Sequence, residues 1–125
     1  KKRVAFLGLS FKAGTDDLRN SPAVTIVETL LGKGYDVQIY DKNVHLSNLT
    51  GTNKDYIDHH IPHLSKLMVN NINDIVDNAD VIVINNNEKE YVDILLDTKS
   101  LAALVDMVRL PQPIRERKNY YGINW

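Results

Sequence analysis

Lys12, Asp16, Asp17 and Arg19 stand within eight residues of one another, in a polar stretch from Ser10 to Ser21. A lysine offers a compact cation to a phosphate or carboxylate, and an arginine offers a planar fork to the same groups. The two aspartates can hold those cations by ion pairs and keep the stretch from trapping anions indiscriminately. A helix opening near Pro22 would add the positive end of its dipole to the same region. The chemistry open to this set is capture of a phosphorylated or carboxylated ligand by a few placed groups. The same charges would equally satisfy one another on a solvated loop, where ion pairs contribute little.

Other residue sets carry less. A dinucleotide clamp needs G-x-G-x-x-G, so that backbone can approach a pyrophosphate. Here the stretch reads Gly8-Leu9-Ser10-Phe11-Lys12-Ala13-Gly14, with Ser10 and Ala13 at the second and third glycine positions. Asp41, although it closes an apolar run as a ribose-binding acid would, is therefore expected to be a solvated strand-end acid. His59, His60 and His63 invite a zinc reading, but Pro62 interrupts any regular helical face and no acid stands at H-E-x-x-H spacing, so no metal site is expected. Asn85-Asn86-Asn87 is expected as a turn, since asparagine tolerates left-handed geometry. Arg115, Arg117 and Lys118 are expected as a solvated tail.

The elements that must position these residues alternate regularly. Arg3 to Leu9 is a continuous apolar run ending at glycine, as buried parallel strands are. Ala23, Ile26, Val27, Leu30 and Leu31 make one helical face, with Ser21 as N-cap, Pro22 at the first turn and Gly34 closing the end. Asp36 to Asp41 is a second strand. A helix broken at Pro62 is expected from Asn53 to Val69, and a short one from Asn71 to Asn78. Ala79 to Ile84 is a third strand, Glu88 to Leu96 a helix, Leu101 to Asp106 a fourth strand. A polar, proline-bearing tail follows from Leu110 to Lys118, then an edge strand from Tyr120. The expected fold is α/β: a three-layer, doubly wound, Rossmann-like domain with a mainly parallel sheet. Ligands in such sheets bind beyond the carboxyl ends of the strands. That places Gly8 to Ser21, Asp41 to Val44, Asn85 to Glu88 and Asp106 to Arg109 at the ligand edge.

Composition narrows the function. A chain of 125 residues holds one core of ordinary size. With 15 basic and 16 acidic side chains, it has no general field for nucleic acid or an anionic membrane. It has no cysteine, so neither disulfides nor thiol catalysis can arise within it. No apolar run approaches the ~20 residues of a membrane span and no signal peptide opens the chain, so the cytoplasm is the expected compartment. The opening Lys1, followed at once by a buried strand, reads as a domain excised from something longer.

The segment from Gly8 to Pro22 resembles the C-terminal domain of the UDP-glucose/GDP-mannose dehydrogenase family. The family pattern F-K-x-x-T-x-D-x-R is filled by Phe11, Lys12, Thr15, Asp17 and Arg19. The resemblance extends through the third strand to the closing Gly122-Ile123-Asn124-Trp125. SFKAGTDDLR, Asn53-Lys54-Asp55-Tyr56-Ile57 and the ending lean towards the GDP-mannose branch. The UDP-glucose branch commonly carries D-x-R near the end of the last main strand. Here that stretch is Asp106-Met107-Val108-Arg109, with Val108 in the arginine's place.

The resemblance implies that residues 1–125 are the nucleotide-sugar-binding domain of a larger enzyme whose NAD-binding and central domains lie elsewhere. It implies oxidation of GDP-mannose to GDP-mannuronate in two NAD-reducing steps, in the service of uronic-acid polysaccharides such as alginate. The parent is expected to be a homo-oligomer and this chain alone inactive, with no catalytic residue of its own. Lys12 matches the lysine that reaches the nucleotide sugar, with Phe11 lining the pocket beside it. Arg19 matches the arginine that contacts NAD across the cleft, and Asp17 orients Arg19 or Lys12. A UDP-sugar dehydrogenase is the near alternative. A receiver or flavodoxin-like binding module is the remote one: Gly8-Leu9-Ser10 and Asn85 stand where a receiver needs acids, and Phe11-Lys12-Ala13 is no flavin phosphate loop.

Overall fold

A computed structural model of the chain describes residues 2–8, 22–41, 66–69, 71–97 and 102–122. Phe11, Lys12, Asp17 and Arg19 lie outside these residues. So do the three histidines His59, His60 and His63, most of the helix expected from Asn53 to Val69, and the closing Ile123 to Trp125.

Five strands form one parallel sheet: β1 (Arg3–Leu7), β2 (Asp36–Tyr40), β3 (Val81–Ile84), β4 (Ala103–Asp106) and β5 (Tyr120–Gly122). Their order is β2-β1-β3-β4-β5. Four helices connect them among the described residues: α1 (Pro22–Gly32), α2 (Ile72–Asn78), α3 (Lys89–Asp97) and α4 (Gln112–Arg115). The doubly wound fold expected from the alternating pattern is the fold observed.

The apolar runs become strands because both faces of the sheet are dry. Val4, Phe6, Val37, Ile39 and Val83 pack with Ala23, Val24 and Val27 of α1 on one face. Ala5, Leu7, Ile82, Ile84 and Leu104 pack on the other with Ile72, Ile75 and Val76 of α2, Tyr91 and Leu95 of α3, and Ile114 of α4. The division follows from chain direction. β1 to β2 steps one way along the sheet and the later connections step the other way, so connections of one hand must cross opposite faces.

Local chemistry sets the helix ends. In α1, Gly34 takes φ +89°. The Tyr35 amide bonds back to the Leu30 carbonyl at 3.1 Å and the Gly34 amide to Leu31 at 3.0 Å. That is a Schellman closure, which needs a residue without Cβ at the left-handed position. Asn71 caps α2 by accepting the Asn73 amide at 3.0 Å. α4 corrects the expected polar tail. Four residues cannot sustain a helix by propensity, but Ile114 is fully buried and Leu110 nearly so, and that burial outweighs the polar composition around them. Two residues of the basic run are likewise held rather than loose, while Lys118 is exposed as expected: Arg115 Nε donates to the Leu110 carbonyl at 2.8 Å and Arg117 to the Leu96 carbonyl at 3.3 Å. No described helix is long and apolar enough to cross a membrane.

Candidate functional site

The strand order puts a reversal between β1 and β3, because the chain leaves β1 towards β2 on one side and returns to β3 on the other. Open α/β sheets bind ligands outside the carboxyl ends at such a reversal. Here Tyr40, Leu7, Ile84 and Asp106 form one row across the sheet by register. The next residues form the rim, and the ladder continues through them: Gly8 donates to the Tyr40 carbonyl at 2.8 Å, Asn85 to Leu7 at 2.8 Å and Met107 to Ile84 at 3.0 Å. The rim is therefore a rigid extension of the sheet.

Gly8 is the exit from β1 towards the segment that bears Lys12 and Arg19. It has φ +93°, and a Cβ built there would stand 2.8 Å from Cβ and Cγ of Asn86. Asn86 is 3% exposed, so it has little room to yield. The first glycine of the loop is thus required twice, by conformation and by space. Gly8→Ala should cost at least about 2 kcal/mol, from the left-handed backbone and the clash together. Urea denaturation of the chain measures this, and a loss under about 0.5 kcal/mol would show that the exit is loosely held.

Asp41 departs from its expected solvated state. It is buried, at 2% exposure, and has a polar partner. The segment at 66–69 runs along this side of β2, with Ile39 bridged to Met68 and the Val69 amide donating to Ile39 at 2.9 Å. The strand end is thus not an open edge. Beside it, Tyr40 donates its hydroxyl to Glu90 Oε1 at 2.6 Å and meets Tyr91 edge-on, with ring centroids 6.1 Å apart. Burial, then the Glu90 hydrogen bond and negative charge, push the Tyr40 phenol well above the ordinary tyrosine range. Tyr40 is therefore a fixed donor tying β2 to the first turn of α3. Of the asparagine run, Asn86 packs across Gly8 while Asn87 is exposed, so the turn expected there also secures the neighbouring strand exit.

At the other end of the rim, Asp106 is fully buried. Its Oδ1 accepts from the Val108 amide at 2.8 Å and its Oδ2 from the Leu110 amide at 2.6 Å; the Tyr120 hydroxyl also donates to Oδ2. The carboxylate thus grips the backbone on both sides of Arg109. That grip holds Arg109 at φ +60°, a left-handed backbone found at no other non-glycine position among the described residues. The conformation costs an L-residue roughly 1–2 kcal/mol. Arg109 itself is exposed. The strand-end acid, a common initiator of turns, was visible in the sequence, but Tyr120 as its third donor is fourteen residues away and was not.

The rim brings Gly8, Asn85, Asn86 and Met107 together and carries Arg109 beside them. It is a poor resident site for a dinucleotide, because Asn86 occupies the space over Gly8 and Asp41 is withdrawn.

Known proteins match this architecture closely. Residues 5–119 match the UDP-glucose/GDP-mannose dehydrogenase family, UDP binding domain. The chain is 44% identical to a GDP-mannose 6-dehydrogenase of Pseudomonas putida over 100% of its length and 29% of that protein's. It is 48% identical to the Pseudomonas aeruginosa GDP-mannose 6-dehydrogenase, over 99% of this chain and 28% of the relative. A UDP-glucose 6-dehydrogenase from Rickettsia bellii is 33% identical over 83% of this chain and 21% of its own. A solved GDP-mannose dehydrogenase from Pseudomonas aeruginosa, in a ternary complex, superimposes with a TM-score of 0.87 at 44% identity, covering 100% of this chain and 28% of that one. The chain thus spans less than a third of the length of these relatives. It belongs to the UDP-glucose/GDP-mannose dehydrogenase family, to which its fold and its matched residues both assign it.

Proposed function

We propose that this chain is the C-terminal, nucleotide-sugar-binding domain of an NAD-dependent GDP-mannose 6-dehydrogenase. The whole enzyme would oxidise C6 of GDP-mannose to the carboxylate of GDP-mannuronate, with two NAD reduced. The observation that carries the GDP-mannose branch is the identity, higher over the whole chain to GDP-mannose 6-dehydrogenases than to the UDP-glucose enzyme. A UDP-sugar substrate is the second reading, favoured only by the family's breadth.

The division of labour follows from what the chain contains. It has no cysteine, so a thiol nucleophile must come from the rest of the enzyme. NAD would supply the hydride acceptor, and the crowding of Gly8 by Asn86 supports a main clamp in another domain. Lys12 is proposed to reach the nucleotide sugar at its reacting end, with Phe11 beside it. A cation there steadies negative charge as it develops on the sugar oxygen. Arg19 is proposed to contact NAD across the cleft, and Asp17 to orient these cations. This domain then acts as one wall of a cleft whose closure excludes water. The parent is proposed to be a cytoplasmic homo-oligomer that supplies uronic-acid units to a polysaccharide such as alginate.

One consequence is direct. The purified 125-residue chain should form no NADH from GDP-mannose or UDP-glucose with NAD. NADH formed by the chain alone, proportional to chain concentration, would overturn this division of labour.

A further inference from the structure

We propose that an apolar groove on the α1 face of the sheet seats a helix formed by the segment that precedes Lys1 in the parent enzyme; the inference rests on reading this chain as the C-terminal domain of a longer polypeptide. The groove follows from the topology. α1 packs over β1 and β2, whereas α2, α3 and α4 all pack on the opposite face. Among the described residues, β3 and β4 therefore have a helix layer on one side only. On the α1 side Val81, Val105 and Met107 stay half-buried. Tyr121, the register partner of Val105 on β5, is 60% exposed. Val81, Val83, Val105 and Met107 line, with Ile26 and Leu30 of α1, a groove of about 350 Å³.

The sequence of α1 carries the same message. Its core contacts are made by Ala23, Val24 and Val27. Ile26 and Leu30, one turn apart, form a second apolar ridge that is left half-buried on the flank facing β3 and β4. Glu28 is the one charged side chain in the whole helix, too little for a helix whose outer side meets only water. Parallel sheets are covered on both faces. Helices pack on a sheet about 10 Å apart, two strand spacings, so the neighbour of α1 falls over β3 and β4. A small ligand fits this groove poorly, because ligand sites need a few convergent polar groups and Lys2 is the only charged residue lining this one. An apolar helix stripe fits it well. The occupant's origin follows from two facts. The chain spans less than a third of the length of its relatives, and Lys2, at the amino end of the groove, leads straight into β1. Chain arriving from ahead of Lys1 thus reaches the groove without crossing the sheet. Met107 stands four residues beyond the Ala103–Val81 pair. That height is roughly 13 Å, or about nine residues of a helix running down from Met107 towards Lys2.

Photo-cross-linking of the full-length enzyme tests this. A benzophenone side chain is placed at one end of the groove in place of Tyr35, or at the other in place of Met107, and the products are read by peptide mass spectrometry. Both sites should join to one segment ahead of Lys1 in the same chain, with apolar residues at helical spacing. The Tyr35 site should reach the part nearer Lys1, and the Met107 site a part about nine residues further upstream. In enzyme assembled from mixed light- and heavy-nitrogen subunits, each product should carry one isotope only. Products that join both isotopes would put a second copy in the groove. Products with any other segment, or with the two sites in reversed order, would put the wrong element there. No product from either site would leave the face bare. Each of these results overturns the inference. The readout involves no turnover, so failure of the dehydrogenase reading would appear in NADH formation and leave the cross-links as they are.

Discussion

Lys12→Ala in the full-length enzyme should lower kcat by about a hundredfold or more, while the protein folds and binds NAD as before. The magnitude follows from the place proposed for the residue. A charged donor aimed at the oxygen where negative charge develops contributes about 10²–10³ in rate when the site is dry. A lysine on a solvated loop would contribute almost nothing. The two readings of the Ser10–Ser21 charges thus predict results that differ by orders of magnitude. Arg19→Ala supplies the internal control, since its expected effect is a raised KM for NAD with kcat less affected. Steady-state kinetics with each substrate varied in turn measures both. Unchanged kcat for Lys12→Ala would remove it from the reacting end and return the charged stretch to the solvated-loop reading.

Asp106→Ala is the second large effect, and it falls on stability. Asp106 is fully buried and satisfies three donors, two of them backbone amides. Each buried donor left without a partner costs roughly 1–3 kcal/mol. A loss of at least about 3 kcal/mol is therefore expected, against a typical domain stability of ~5–15 kcal/mol. Asp106→Asn keeps the volume and one acceptor oxygen and should cost less. Urea denaturation of the chain and of both variants gives the comparison. A loss below about 1 kcal/mol for the alanine variant would mean that the turn does not depend on the carboxylate. Arg109 would then be free to relax from its left-handed backbone.

Local patterns in the sequence carried much of the fold. The buried strands were legible because a parallel sheet covered on both faces needs continuous apolar runs, and Val81-Ile82-Val83-Ile84 is such a run. The end of α1 was legible because Gly34 is a local requirement of the closing turn. What escaped depends on contacts between distant residues. Nothing near Gln112 announces a helix; α4 forms because Ile114 reaches the core. Asp41 looked solvated because its burial is set by packing that no pattern near position 41 records. The same division holds at the rim. Gly8 stood out as the first glycine of a fingerprint, but Asn86, which makes that glycine necessary, meets it only because β3 lies beside β1. Lys12, Asp17 and Arg19 were legible as a spaced motif, whereas the strain at Arg109 is a property of backbone geometry that no residue pattern records.

The proposed function and the rim's geometry meet in one quantity: the NADH formed per nucleotide sugar consumed by the full-length enzyme, with GDP-mannose and UDP-glucose supplied separately. Two NADH per GDP-mannose, with little or none from UDP-glucose, is the result expected of this domain in its proposed parent. Turnover of UDP-glucose in preference to GDP-mannose, or no NADH from either, would contradict it.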